Sequence, residues 1–121
     1  MPSAPALSED HIQSTCVAWL RTVLPKAVVA AIPNGGLRTK REAAKHRWTG
    51  TLAGIPDVVA ALPGGAVLWI ECKAAKGVLS SEQKACHAAL AAAGHTVAVV
   101  RSVEDVRAAL RSIGINTREA A

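Results

Sequence analysis

The sequence predicts one α/β domain, a mixed four-stranded sheet flanked by helices in the order helix, strand, basic insert, strand, strand, helix, strand, helix. Three observations carry that expectation. Three segments repeat apolar residues at helical spacing, and each follows a serine suited to an N-cap. Four short runs rich in Val, Ile and Ala are bounded by Gly, Pro or Asn, which is the pattern of strands. The length, 121 residues, allows one hydrophobic core but not two. Residues 1–121 are therefore read as a single domain with its core at about 7–113 and flexible tails at 1–6 and 115–121.

Ser8 caps the first helix, where Ile12, Cys16, Trp19, Leu20 and Val23 recur on one face and Pro25 ends the run. Glu9 and Asp10 fall in its first turn, where acids oppose the helix dipole. Ala27 to Ile32 is a continuous apolar run with the length of a buried strand, closed by Pro33-Asn34-Gly35-Gly36. Leu37 to Trp48 reads as a helix or an ordered loop, and Thr49 to Gly54 as a loop. Asp57 to Leu62, Pro63-Gly64-Gly65 and Val67 to Lys73 form a β-hairpin, which returns Glu71 and Lys73 to the edge where Asp57 lies. Alternation along the second hairpin strand puts Glu71 and Lys73 on one face and Leu68, Ile70 and Cys72 on the other, toward a core.

Ser80 opens the next helix with Gln83 in capping-box register and Gly94 as its stop. Its small side chains Ala85, Ala88, Ala89 and Ala92 are expected to lie flat on the sheet. Thr96 to Val100 is a fourth strand, reached by a helical crossover and so parallel to Val67 to Lys73. Ser102 caps the last helix, which carries Val103, Val106, Leu110 and Ile113 before Gly114.

The net charge of +5 suits a polyanionic partner. Arg38, Lys40, Arg41, Lys45 and Arg47 concentrate the excess within ten residues against Glu42 alone, as phosphate contacts or as a solvated helix face. Cys16, Cys72 and Cys86 are odd in number and lack paired ligand spacing, which disfavours a disulfide framework or structural zinc and suits buried thiols in a reducing compartment. No apolar run approaches a membrane span and no secretion signal opens the chain, so a cytoplasmic location is expected. His11, His46, His87 and His95 sit on separate elements and read as surface or packing residues, with His46 in the basic segment the one to watch. Trp19, Trp48 and Trp69 read as packing residues, although Trp48 lies near enough to the insert to meet a nucleotide. With no Phe or Tyr, the composition argues for reading backbone and shape rather than stacked bases.

Phosphodiester hydrolysis needs a hydroxide-like nucleophile beside anionic oxygens, and a hard divalent cation supplies it while carboxylates hold the cation. Asp57 and Glu71 are the candidate ligands, and Lys73 is placed to hold or deprotonate water or to stabilise charge on phosphorus. Two converging carboxylates repel when no cation is present, which predicts a site stabilised by metal. Taken singly, Glu-x-Lys on a strand is an ordinary ion-pairing face and Pro-Asp an ordinary turn. The combination is more specific, because thirteen residues forming a hairpin separate Asp57 from Glu71, with a helix and a strand after them.

Across residues 7 to 107 the chain resembles the PD-(D/E)xK nuclease superfamily, and within it a stand-alone VRR-NUC domain of the kind found in phage and bacterial genomes. The resemblance rests on Ser8-Glu9 with Ile12-Gln13, Pro33-Asn34-Gly35-Gly36, Gly54-Ile55-Pro56-Asp57, Ile70-Glu71-Cys72-Lys73 and Leu79-Ser80-Ser81-Glu82-Gln83. The Val-Arg-Arg of the family's name appears as Val99-Val100-Arg101-Ser102, with one arginine of the pair absent. The resemblance implies a restriction-endonuclease-like core in which Asp57 and Glu71 bind Mg²⁺ or Mn²⁺ and Lys73 is catalytic. It further implies that Glu9 is an additional acid near the metal, that the Cys72 carbonyl is a ligand, and that Gln83 supports the site. Helix capping accounts equally for Gln83, and dipole compensation for Glu9, with Asp10 able to replace it.

The expected function is metal-dependent hydrolysis of DNA, selective for flap or junction-like structures, with Asn34, Arg38, Lys40, Arg41, Lys45 and Arg47 on the nucleic acid. Related stand-alone modules act as dimers on such DNA, which makes a homodimer a further expectation. The rival readings are a non-catalytic nucleic-acid-binding module that keeps the fold, and an unrelated small α/β protein whose Glu-x-Lys is a surface pair.

Overall fold

Ser8 Oγ accepts a hydrogen bond from the His11 amide at 3.1 Å and starts α1 (Glu9–Val23) in a computed structural model that describes residues 7–33 and 40–117. Asn34, Arg38 and the outermost tails lie outside the described residues. The remaining elements are β1 (Val28–Ala31), α2 (Lys40–Trp48), β2 (Val58–Ala61), β3 (Val67–Cys72), α3 (Ser81–Ala92), β4 (Thr96–Val100) and α4 (Val103–Ser112), in the expected order. The strands form one mixed sheet in the order β1-β2-β3-β4. β1 and β3 each pair antiparallel with β2, and β4 lies parallel to β3.

The core forms between one face of this sheet and helices α1 and α4. Ile12, Cys16, Leu20 and Val23 from α1 and Val106 and Leu110 from α4 meet Leu68, Ile70, Cys72 and Val100 of the central strands, all of them buried. The alternation expected along β3 is therefore present, and Ile115 also packs against this core. All three cysteines are free and buried. Burial first and the charge of Asp105 second raise the Cys16 pKa, so it behaves as a small apolar side chain. Among the described residues no helix is long and apolar enough to cross a membrane.

Two packing expectations are corrected. The apolar run around β1 is a sheet edge and not a buried strand: only Val29 turns inward, and Val28 is 69% exposed. Arg21 covers part of that edge by donating from Nη2 to the Val29 carbonyl at 2.8 Å, which blunts a surface open to strand addition. On α3, Ala85, Ala88, Ala89 and Ala92 face solvent, while Gln83, Cys86, His87 and Leu90 turn toward the sheet. The helix rotates this way because the sheet beneath it presents a carboxylate, and polar Gln83 and His87 satisfy that group where alanine would leave it bare.

Arg101, just past β4, gathers the carbonyls of the loop that follows β3. Its guanidinium donates to Ala74 and, at 3.0 Å, to Gly77. The one arginine of the family signature that this chain keeps thus has a structural task.

Candidate active site

The hairpin expected from Pro63-Gly64-Gly65 sets Asp57 beside the end of β3. Asp57 Oδ2 accepts the Cys72 amide proton at 2.8 Å, so the carboxylate takes over a backbone donor that faces Pro56 across the ladder. In an extended strand the N–H and C=O of one residue leave on the same side, so the Cys72 carbonyl also faces Asp57. Lys73 continues the ladder on the other side, its amide donating to the Val100 carbonyl at 3.0 Å. Both neighbours of Cys72 are consequently held by backbone geometry.

Glu71 is 1% exposed and Lys73 7%. An anion so buried is costly unless compensated, and the Glu71 carboxyl is pushed up to about 8 from its ordinary 4.5. Desolvation is the largest cause, followed by a hydrogen bond to Asp57 and the repulsion of its charge; Lys73 works in the opposite direction, and Glu9 adds to the rise. A hydrogen bond between two carboxyl groups requires a proton on one of them. The Glu71 carboxyl is therefore biased toward its protonated form, a bias that a bound cation would oppose.

α3 supplies two polar partners to Glu71. Gln83 completes the capping box, its Oε1 accepting from the Ser80 amide at 2.9 Å and its own amide donating to Ser80 Oγ at 3.1 Å. The same side chain donates from Nε2 to Glu71 Oε2 at 3.4 Å. Capping and site support are thus compatible roles, one for each end of the amide. One turn later His87 Nε2 lies 3.0 Å from Glu71 Oε1. Burial lowers the His87 pKa, with Asp57 opposing and Lys73 reinforcing the shift, which favours the neutral ring, whose tautomer decides which group donates.

His87 is the residue that sequence reasoning missed, having been placed among surface and packing histidines. The available signal was its spacing of four from Gln83, which puts both side chains on one helix face. Glu9 is exposed, but its carboxylate lies beside Gly77 and its charge reaches Glu71 and Cys72. Asp10 instead lines a groove with Gln13, Val17 and Arg21. The Cys72 thiol, on the core side of the strand, is pushed up to about 12 by burial first and by Cys16 and the nearby acids second, which leaves it inert.

Of the candidate nucleic-acid contacts among the described residues, Lys40, Arg41, Lys45 and Arg47 all lie on α2, a helix with no buried residue. Trp48 at its end is 89% exposed, contrary to the packing role expected of it. Trp19 does pack against the core and has the Arg107 guanidinium over its ring at 5.2 Å. Trp69 donates from Nε1 to His95 Nδ1 at 3.2 Å.

A mixed sheet whose central hairpin brings two acids and a lysine to one end defines a nuclease-like domain. The family follows from comparison: the model of the VRR-NUC domain matches residues 5–104, and the chain belongs to that family. A solved structure described as a VRR_NUC domain protein superposes with a TM-score of 0.72 at 24% identity, covering 90% of this chain and 89% of that one, which bears on the fold. No curated protein matches the chain.

VRR-NUC nuclease domains are typically dependent on a divalent metal. Among the described residues no group of three or more His, Cys, Asp or Glu side chains is gathered to hold a metal ion. Magnesium typically keeps several waters and takes one or two protein carboxylates, so Asp57 and Glu71 with the Cys72 carbonyl suit it in number and hardness. The chemistry of the donor set fits as well: Glu71 is buried at 1% exposure beside the charge of Asp57, an unfavourable pairing of acids that a bound cation would relieve.

Proposed function

We propose that this domain hydrolyses DNA phosphodiester bonds with Mg²⁺ or Mn²⁺, selecting flap or junction-like structures. The observation that carries the reading is the convergence of buried Glu71 on Asp57 with Lys73 close enough to act on the Glu71 charge. Asp57, Glu71 and the Cys72 carbonyl would hold the ion, with Glu9 as an outlying acid. When bound, the ion supplies Lewis acidity, making water a better nucleophile and screening charge on the phosphate oxygens.

Lys73 offers a positive charge, either to orient and help deprotonate the attacking water or to stabilise the crowded phosphorus. Gln83 and His87 occupy an oxygen each of Glu71 and so fix the direction of its remaining lone pairs. The α2 cations, with Asn34 and Arg38 ahead of them, would grip backbone phosphates, and binding should weaken steeply with salt. A domain this small cannot surround branched DNA alone, which favours a homodimer on such substrates. Light scattering should then show twice the chain mass, and a monomer fully active on four-way junctions would remove that element of the proposal.

The central test incubates flap, junction and linear DNA with the protein in Mn²⁺ or EDTA, alongside Asp57→Ala and Lys73→Ala. Cutting is expected only with Mn²⁺, and Lys73→Ala should lose roughly a hundred- to a thousandfold in rate, the scale for one group that stabilises transition-state charge. Binding without metal-dependent cutting on any of the three would leave a non-catalytic binding module in its place.

A further inference from the structure

A helix without a buried residue has no packing reason to carry a tryptophan at its exposed end. α2 is such a helix, and Arg41, Lys45 and Trp48 stand at positions i, i+4 and i+7, which share one face. All three are exposed. The helix end is well made: Thr49 Oγ1 and the Thr49 amide both bond the Lys45 carbonyl at 2.9 Å, and the Thr51 amide bonds that of His46 at 2.8 Å. Trp48 is therefore presented from an ordered turn.

Charge and shape narrow the occupant. A second copy docking face to face would bring Arg41 and Lys45 against their own equivalents, which repel. A lipid surface asks for a broad apolar face, whereas the apolar residues of α2 are Ala43, Ala44 and Trp48. One flat ring flanked by two cations instead matches one unpaired base flanked by two phosphates. The scarcity of aromatics elsewhere limits how many bases can stack but does not prevent one from doing so.

We propose that Trp48 stacks on an unpaired base while Arg41 and Lys45 hold the adjoining phosphates, so that α2 selects DNA containing a single-stranded stretch. The inference rests on the nuclease reading for its substrate, and names the feature of that substrate which the helix detects. Asp57 follows Trp48 by nine positions, so the backbone of Trp48 lies within about 30 Å of that of Asp57 even if the chain between them were fully extended.

The test is binding in EDTA, where no cutting occurs, with three probes: a dT oligomer, a blunt duplex of equal length and vesicles of anionic lipid. The wild-type chain should bind the dT oligomer with quenching of tryptophan emission. Trp48→Phe should keep the affinity and lose most of the quenching, because Trp19 and Trp69 are less exposed. Trp48→Leu should bind dT roughly 5- to 150-fold more weakly, the range for losing one base stack, with duplex affinity unchanged. Matching thermal melts would show that the variants fold. Equal dT affinity in Trp48→Leu overturns the proposal, as does emission that responds to vesicles or to protein concentration and not to dT. Because no metal enters, a chain unable to cleave still gives the expected result, and a chain that cleaves normally with Trp48→Leu and binds dT as before refutes only the stacking role.

Discussion

Glu71→Gln should stabilise the metal-free protein at pH 8 while abolishing metal-dependent cleavage. The wild-type carboxyl holds its proton up to about 8 in the fold but releases it near 4.5 once unfolded. Between those values the folded state binds more protons than the unfolded one, so stability falls as pH rises. The contribution is fully present below about 4.5 and is lost as pH passes about 8. At about 1.4 kcal/mol per pH unit, the loss across that window is on the order of a few kcal/mol. Glutamine, neutral at every pH, removes it.

Melting curves in EDTA from pH 4.5 to 8.5 should therefore descend for the wild type and run flatter for Glu71→Gln, the variant ending higher. Added Mn²⁺ should raise the wild-type melting temperature at pH 8, since a ligand that binds only the folded state stabilises it, and should leave the variant where it was. Parallel pH profiles together with an undiminished Mn²⁺ shift in the variant would mean that Glu71 neither titrates with a raised pKa nor binds the ion.

Gly54→Ala is expected to be the most damaging glycine-to-alanine change among the described glycines. Gly54 has φ +84°, and a Cβ there would stand 2.2 Å from the Glu82 carbonyl oxygen and 2.8 Å from the Gln83 nitrogen. The loop that delivers Asp57 thus rests directly on the first turn of α3, the turn that also presents Gln83 to Glu71. A side chain at that point pushes the two apart. Left-handed strain of about 1–2 kcal/mol combines with overpacking of about 1–3 kcal/mol. Gly64→Ala is the control, since Gly64 has φ +89° and open space around it, and it should show the strain alone. At about 4–8 °C per kcal/mol for a domain of this size, the two melting temperatures should be clearly separated. Comparable losses in both variants would mean that the contact with α3 contributes nothing.

How much of this was legible in the sequence varied with the physics behind each element. Helix starts were readable because Ser8, Ser80 and Ser102 each cap with their own hydroxyl, an interaction spanning three residues. The hairpin was readable because its turn residues are local, and the pleat then sorted Glu71 and Lys73 from Leu68, Ile70 and Cys72. The edge position of β1 was not readable, because Val28-Val29-Ala30-Ala31 has the same composition whether a strand covers it on one side or on two. The rotation of α3 failed for a related reason: alanine tolerates either environment, so its pattern could not say which face the sheet would demand. His87 meets Glu71 across sixteen residues of chain, and no local rule reaches that far.

The guanidinium of Arg101, drawing in the carbonyls of Ala74 and Gly77, has a bearing on how quickly the domain can begin work. A connection already wound around a fixed charge arrives at each encounter in its final shape, so little ordering entropy is subtracted from the affinity for an incoming strand. Rigidity immediately after Lys73 also means that the ammonium is aimed in advance of the collision.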